Sequence, residues 1–229
     1  AFFFDHEWPA AAREFRRAPA LNPSDASARQ LYAQGLASRR RAEQAVAESE
    51  AAARLDPLSY ATSADLGVVL YLAGRFDECI ARTRQVLEEH PDARTLHGIL
   101  GVCHIARGNF GAGRDHIDRF IAAFGRASFA VARLGQALAG LGETERARAL
   151  LEEMDALARR GDAQFTHLAI LATTLGEHGR ALAALEAAIG SRDTLRIVIR
   201  CDVARQPPRP GLFPLETALR DGSAVTPPT

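Results

Sequence analysis

The chain carries seven histidines, and these are the first residues to weigh for chemistry. His97 and His104 stand seven apart, so on a helix they share one face two turns apart. That is too far for an easy chelate, unlike an i,i+4 pair. His116 falls on the following segment and could approach them. Packed, hydrogen-bonded imidazoles are the expectation, and no metal ligand is assigned. Asp115, His116 and Asp118 form a polar run that reads as a solvated helix face. The run Arg39, Arg40 and Arg41 could touch a phosphate or an acidic partner, but its place between two helical segments makes a solvated turn the expectation. Cys79, Cys103 and Cys201 are odd in number and lack C-x-x-C spacing, so no disulfide framework is expected. Cys79 and Cys103 read as buried small hydrophobes in a cytoplasmic protein. No G-x-S-x-G, H-E-x-x-H, P-loop or G-x-G-x-x-G match stands in the right context. Hence no catalytic residue and no cofactor is assigned.

Composition narrows the scaffold that must hold these groups. Of 229 residues, 47% are apolar and 24% charged, with 28 basic against 28 acidic side chains. All the basic residues are Arg. The even balance argues against a dedicated nucleic-acid binder, and the apolar content argues against a disordered chain. No apolar run approaches the ~18–20 residues of a membrane span. Ala fills roughly a fifth of the chain, and Ala and Arg both favour helix.

The elements repeat. Pro23, Pro57 and Pro91 are spaced by 34, as are Gly67, Gly101, Gly135 and Ala169, and Gly74, Gly108, Gly142 and Gly176. Each period reads as two helices. Ser59 can cap the first, Leu66, Gly67 and Leu70 follow at helical spacing, and Gly74 ends it. Phe76 opens the second, Cys79, Ile80, Thr83 and Val86 continue its apolar face, and Pro91 stops it.

This grammar resembles the tetratricopeptide repeat, a helix–turn–helix unit of that period. The Leu-Gly pair is Leu66-Gly67, Leu100-Gly101 and Leu134-Gly135, and the aromatic opening the second helix is Trp8, Phe76 and Phe110. Ala11, Phe15, Ala18 and Pro23 fit the second-helix run, as do Ala45, Ser49, Ala52 and Pro57 with one polar departure. Other departures are Arg40 for the turn Gly, Gly113 for a small Ala, Pro19 inside a second helix, and His97 and His104 in columns where a large residue and an aromatic are usual. The segments EFRRAPALNPSDASARQLYAQGLA and ARLDPLSYATSADLGVVLYLAGRFDE are similar to the repeat regions attached to bacterial winged-helix transcription regulators, class III adenylate cyclases and serine/threonine kinases. No such catalytic or DNA-binding domain lies in these residues.

The resemblance implies an all-α fold, a right-handed superhelical solenoid with a C-terminal capping helix. The array covers 1–190, with a truncated repeat at 1–25 and further repeats at 26–59, 60–93, 94–127, 128–161 and 162–190. A cap segment follows at 191–221, its helix at Phe213 to Leu219, and then a disordered tail at 222–229. Only AFFFDHE precedes the second helix of the first repeat, so truncation of a longer chain is expected. Stacked pairs bury a core that one pair cannot, and Gly67, Gly101, Gly135, Ala45 and Ala147 are small where helices touch. Leu at Gly135 should overpack, whereas Ala is expected to be tolerated.

By the same resemblance the first helices line a concave peptide groove. Projection puts Gln30, Gln34, Ala64, Asp65, Val68, Tyr71 and Leu72 on it, followed by Ile99, Val102, Ile105, Arg133, Gln136, Thr166 and Ile170. The two-Lys, two-Asn clamp of chaperone-binding members is absent, which disfavours an acidic C-terminal tail as ligand. The expected function is non-catalytic protein–protein interaction with a protein or peptide partner bearing an apolar segment, without direct nucleic-acid contact, and with self-association through array ends as a further expectation. A regulatory module of a longer signalling protein, or a structural subunit bracing an assembly, are the alternatives.

Overall fold

In the computed structural model, residues 13, 14, 17, 21–38, 41–57, 59–161 and 163–190 are described. They form ten α-helices and no strand: α1 Ala26–Ser38, α2 Ala42–Leu55, α3 Tyr60–Ala73, α4 Phe76–Glu89, α5 Leu96–Ala106, α6 Phe110–Phe124, α7 Ser128–Gly140, α8 Thr144–Arg159, α9 Phe165–Thr174 and α10 His178–Gly190. The chain divides into two compact units, with α1–α6 in the first and α7–α10 in the second. Trp8, Phe15 and Pro19, Arg39 and Arg40, and the cap, capping helix and tail expected after Gly190 lie outside the described residues.

Local chemistry sets the helix limits. Ser59 caps α3 through its side chain, which accepts from the Thr62 amide at 3.3 Å. Gly74 ends α3 at φ 81°, a left-handed conformation that a side chain resists, and the Arg75 amide then bonds back to the Leu70 carbonyl at 2.9 Å. Gly108, Gly142 and Gly176 repeat this stop at φ 78°, 83° and 76°. Helix α4 buries Cys79, Ile80, Thr83 and Val86, the stripe expected from the sequence, and stops one residue before Pro91 with His90 as its C-cap.

In the first unit each helix packs on its sequence neighbour, and α1 on α3 and α3 on α5 also touch. Helices α5 and α6 approach closely. A Cβ at Gly101 would lie 3.3 Å from the Gly113 carbonyl oxygen, and one at Gly113 would lie 3.3 Å from that of Gly101. The Gly113 departure from the repeat pattern is therefore the partner of the Gly101 column. Ile117 and Ile105 fill the space beside the two glycines.

The second unit has a continuous apolar core: Val131 and Ala132 of α7, Leu151, Met154 and Ala158 of α8, Leu168, Ala169, Leu171 and Ala172 of α9, and Ala181, Ala184 and Leu185 of α10. Gly135 admits α9 onto α7. A Cβ there would stand 2.5 Å from Leu171 Cδ1 and 2.8 Å from its Cδ2. Leu171 is itself fully buried. An Ala at Gly135 requires the end of the Leu171 side chain to shift, and a larger residue requires more.

One expectation from cysteine arithmetic is also corrected. Cys79 and Cys103 are buried as expected, but their sulfurs are joined, with Cα atoms 6.7 Å apart. The bond ties α4 to α5. An odd cysteine total left room for one pair once Cys201 is set aside.

Candidate functional site

Two regions bring polar chemistry together: the exposed faces of the first helices, and the histidines between α5 and α6.

On α3, Asp65, Val68 and Leu72 follow at i, i+3 and i+7, so they share one stripe. All three are half-buried, as are Gln34 on α1 and Ala64 beside them on α3. Asp65 pairs with no cation among the described residues, and burial raises its carboxyl above the ordinary range. Most other described carboxylates with an ionic contact are matched to Arg, as in Arg29–Glu48 at 2.8 Å and Arg107–Asp77 at 2.7 Å. Gln30 of α1 is only 6% exposed, and neither of its amide atoms has a hydrogen-bond partner.

The rest of the projected face is spent on packing. Ile99 and Ala64 pack against the buried cluster of Val86, Ala93 and Leu96. Ile99 also covers Gly67, and Ile105 covers Gly113. Tyr71 and Val102 are buried, with Tyr71 tilted against Phe76 at 5.9 Å. In the second unit Thr166 and Ile170 are buried, at 0% and 3% exposure. Arg133 is buried too, with its guanidinium 5.8 Å from the Phe129 ring centre. It donates to Gln136 at 2.7 Å, and Gln136 donates in turn to the Thr174 hydroxyl at 3.2 Å. Thr174 completes the chain on the Ile170 carbonyl at 2.9 Å. The projected positions thus differ in depth: Gln34, Ala64, Asp65, Val68, Leu72, Ile99, Ile105 and Gln136 are half-buried, and the others are buried.

The histidines meet as the sequence allowed and in more detail than it gave. His97 and His116 face each other through their Nδ1 atoms at 3.0 Å. His104 stacks on His116 with ring centres 5.6 Å apart and planes within 7°. Its Nε2 lies 3.4 Å from Nη2 of Arg84 on α4. A guanidinium only donates, so this Nε2 accepts and the proton of neutral His104 sits on Nδ1, which is buried without a partner. The sequence reading of Asp115, His116 and Asp118 as one solvated face is corrected at its middle residue. The two aspartates are exposed, while His116 turns toward α5 beside the buried Ile117.

All three imidazoles resist a proton. Burial, then the neighbouring His97, His104, Arg119 and Arg84 charges, pushes His116 down to about 4. Burial and Arg119 lower His97, and burial and Arg84 lower His104. The His97–His116 nitrogens stand at a separation two ligands of one metal ion can have, but no group of three His, Cys, Asp or Glu converges among the described residues.

No family model and no curated protein matches the sequence. Solved structures match the fold. The chain is similar to the MamA RS-1 ArsTM double mutant at 15% identity and TM-score 0.55, over 69% of this chain and 88% of that one. It is similar to a tetratricopeptide repeat protein from Parabacteroides merdae ATCC 43184 at 11% identity and TM-score 0.56, over 87% and 81%. Yeast Tom70 is matched at 17% identity and TM-score 0.53, over 85% of this chain and 42% of that one. The fold is that of tetratricopeptide-repeat arrays, as the spacing of 34 led one to expect. No helix among the described residues is long and apolar enough to cross a membrane.

Proposed function

We propose that the chain is a non-catalytic protein–protein interaction module that takes a peptide or protein segment along the exposed stripe of α1 and α3. The observation that carries this reading is the stripe itself: Val68 and Leu72 are half-exposed and apolar, and Asp65 stands in line with them without a cation. An apolar segment buries against Val68 and Leu72. A basic residue on it would meet Asp65, whereas an acidic tail would be repelled there. The non-catalytic part rests on how the convergent titratable groups are spent. His97, His104 and His116 are turned on one another and on Arg84 rather than into an open cleft.

The test is a quantitative pull-down with wild type beside Val68→Glu with Leu72→Glu, and beside Gln85→Lys with Glu89→Lys on the exposed side of α4. A partner lost from the first variant and kept by the second supports the reading. Full retention by the first variant, in a protein of wild-type helicity, overturns it.

A further inference from the structure

We propose that the His97–His104–His116 cluster is an acid-released joint: it holds α5 on α6 while the imidazoles are neutral and loosens that pair when they are protonated. The argument is one of counting protons. In the neutral pair, one Nδ1–H donates to the other Nδ1 across 3.0 Å. One added proton leaves a donor and an acceptor, so the bond survives. A second added proton places two N–H donors against each other, and the bond becomes a repulsion.

His104 meets the same limit by another route. Its Nε2 already accepts from Arg84, so a proton there would set N–H against N–H. His104 is 5% exposed, which leaves its ring little water to turn to. The charged groups facing the cluster are Arg84 from α4 and Arg119 from α6, both positive, together with the three imidazoles themselves. Asp115 is exposed and paired with Arg114 at 3.7 Å, and Asp118 is exposed. Among the described residues no carboxylate therefore compensates the incoming charge at the cluster. The covalent tie from Cys79 to Cys103 holds α5 to α4 and not to α6, so acid separates α6 from a retained α4–α5 pair.

The experiment is amide hydrogen exchange on the full chain by mass spectrometry, with protection factors corrected for the intrinsic pH dependence of exchange, at about pH 7 and about pH 5. Helices α9 and α10 serve as reference within the same molecule. Protection of α5 and α6 should fall by about tenfold or more relative to the reference, one pKa unit of unequal proton affinity being worth that factor. His116→Asn keeps a hydrogen-bonding group opposite His97 and cannot take a proton, so it should flatten the dependence. His97→Asn should do the same from the other side. Equal loss of protection in α5–α6 and α9–α10 in wild type would overturn the proposal, whichever variants fold. So would a His116→Asn protein that folds and keeps the full wild-type pH dependence.

Discussion

The α5–α6 pair of the first unit and the α7–α10 packing of the second are built on one repeat length and filled with different chemistry. Between α7 and α10 the main cluster is Ala, Leu, Val and Met, and the buried polar groups there have partners: Arg133 bonds Gln136, and His167 has a Ser128 hydroxyl at 2.9 Å. Between α5 and α6 a glycine contact and two isoleucines are joined by three histidines, with no compensating acid among the described residues. The repeat frame fixes where helices approach but leaves open what fills the gap. An apolar filling is indifferent to pH and redox state, and the filling of α4–α6 is not.

The largest test of that contrast is redox. Opening Cys79–Cys103 frees a loop with a sequence separation of 24. By loop-closure entropy the first unit should lose about 3 kcal/mol. Urea unfolding with and without reductant, followed by exchange in each unit, should show α4 and α5 weakened and α9 and α10 unchanged. Unaltered stability of α4 and α5 would remove redox from the comparison.

Gly135→Leu should strike the second unit in turn. Its side chain must displace Leu171, at a cost of about 2–3 kcal/mol, with Gly135→Ala in the same direction and smaller. A wild-type melting temperature for the Leu variant contradicts the close α7–α9 contact.

Acid should return the damage to the first unit. The unfolded chain binds a proton at a histidine near pH 6.5, whereas folded His116 takes it only at about 4. Stability is therefore complete above about pH 6.5 and is lost as pH falls toward 4. His116 is partly exposed, so solvent screening reduces the loss to about 1–2 kcal/mol. Urea midpoints at several pH values check this, and a first unit whose stability is flat from pH 7 to 5 contradicts it.

The smallest effect belongs to Arg180. It bonds Glu152 at 2.6 Å, Asp155 at 2.5 Å and Glu177 at 3.0 Å. Burial works to lower its affinity for the proton, and these three bonds outweigh it. Arg180→Met should cost the second unit less than about 1 kcal/mol and narrow toward zero in high salt. A larger, salt-independent loss would mean that this unit also leans on charge.

Features set by local rules were legible in the sequence. Ser59 as a cap, Gly74 as a left-handed stop and the buried stripe of α4 follow from propensity and the helical period. So do the ion pairs near Glu143: Arg146 bonds Glu143, and Arg148 bonds Glu145 at 2.9 Å. What failed depended on contacts between elements. The Cys79–Cys103 bond joins the second helix of one repeat to the first helix of the next, and no spacing rule within a repeat exposes it. His116 was grouped with its acidic neighbours, although Ile117 beside it marks the inward direction. Projection from the repeat assigns a face but not a depth, and of the projected positions Val102, Thr166 and Ile170 are buried.

We propose that a partner lies along the Asp65–Val68–Leu72 stripe. A photo-crosslinking amino acid placed at position 68, beside a control at position 85 on α4, tests it most directly. One protein should be joined at position 68 and not at 85, with the yield falling at least severalfold when Leu72→Glu is added. A partner joined at 85 but not at 68, or one whose yield at 68 is indifferent to Leu72→Glu, would contradict it.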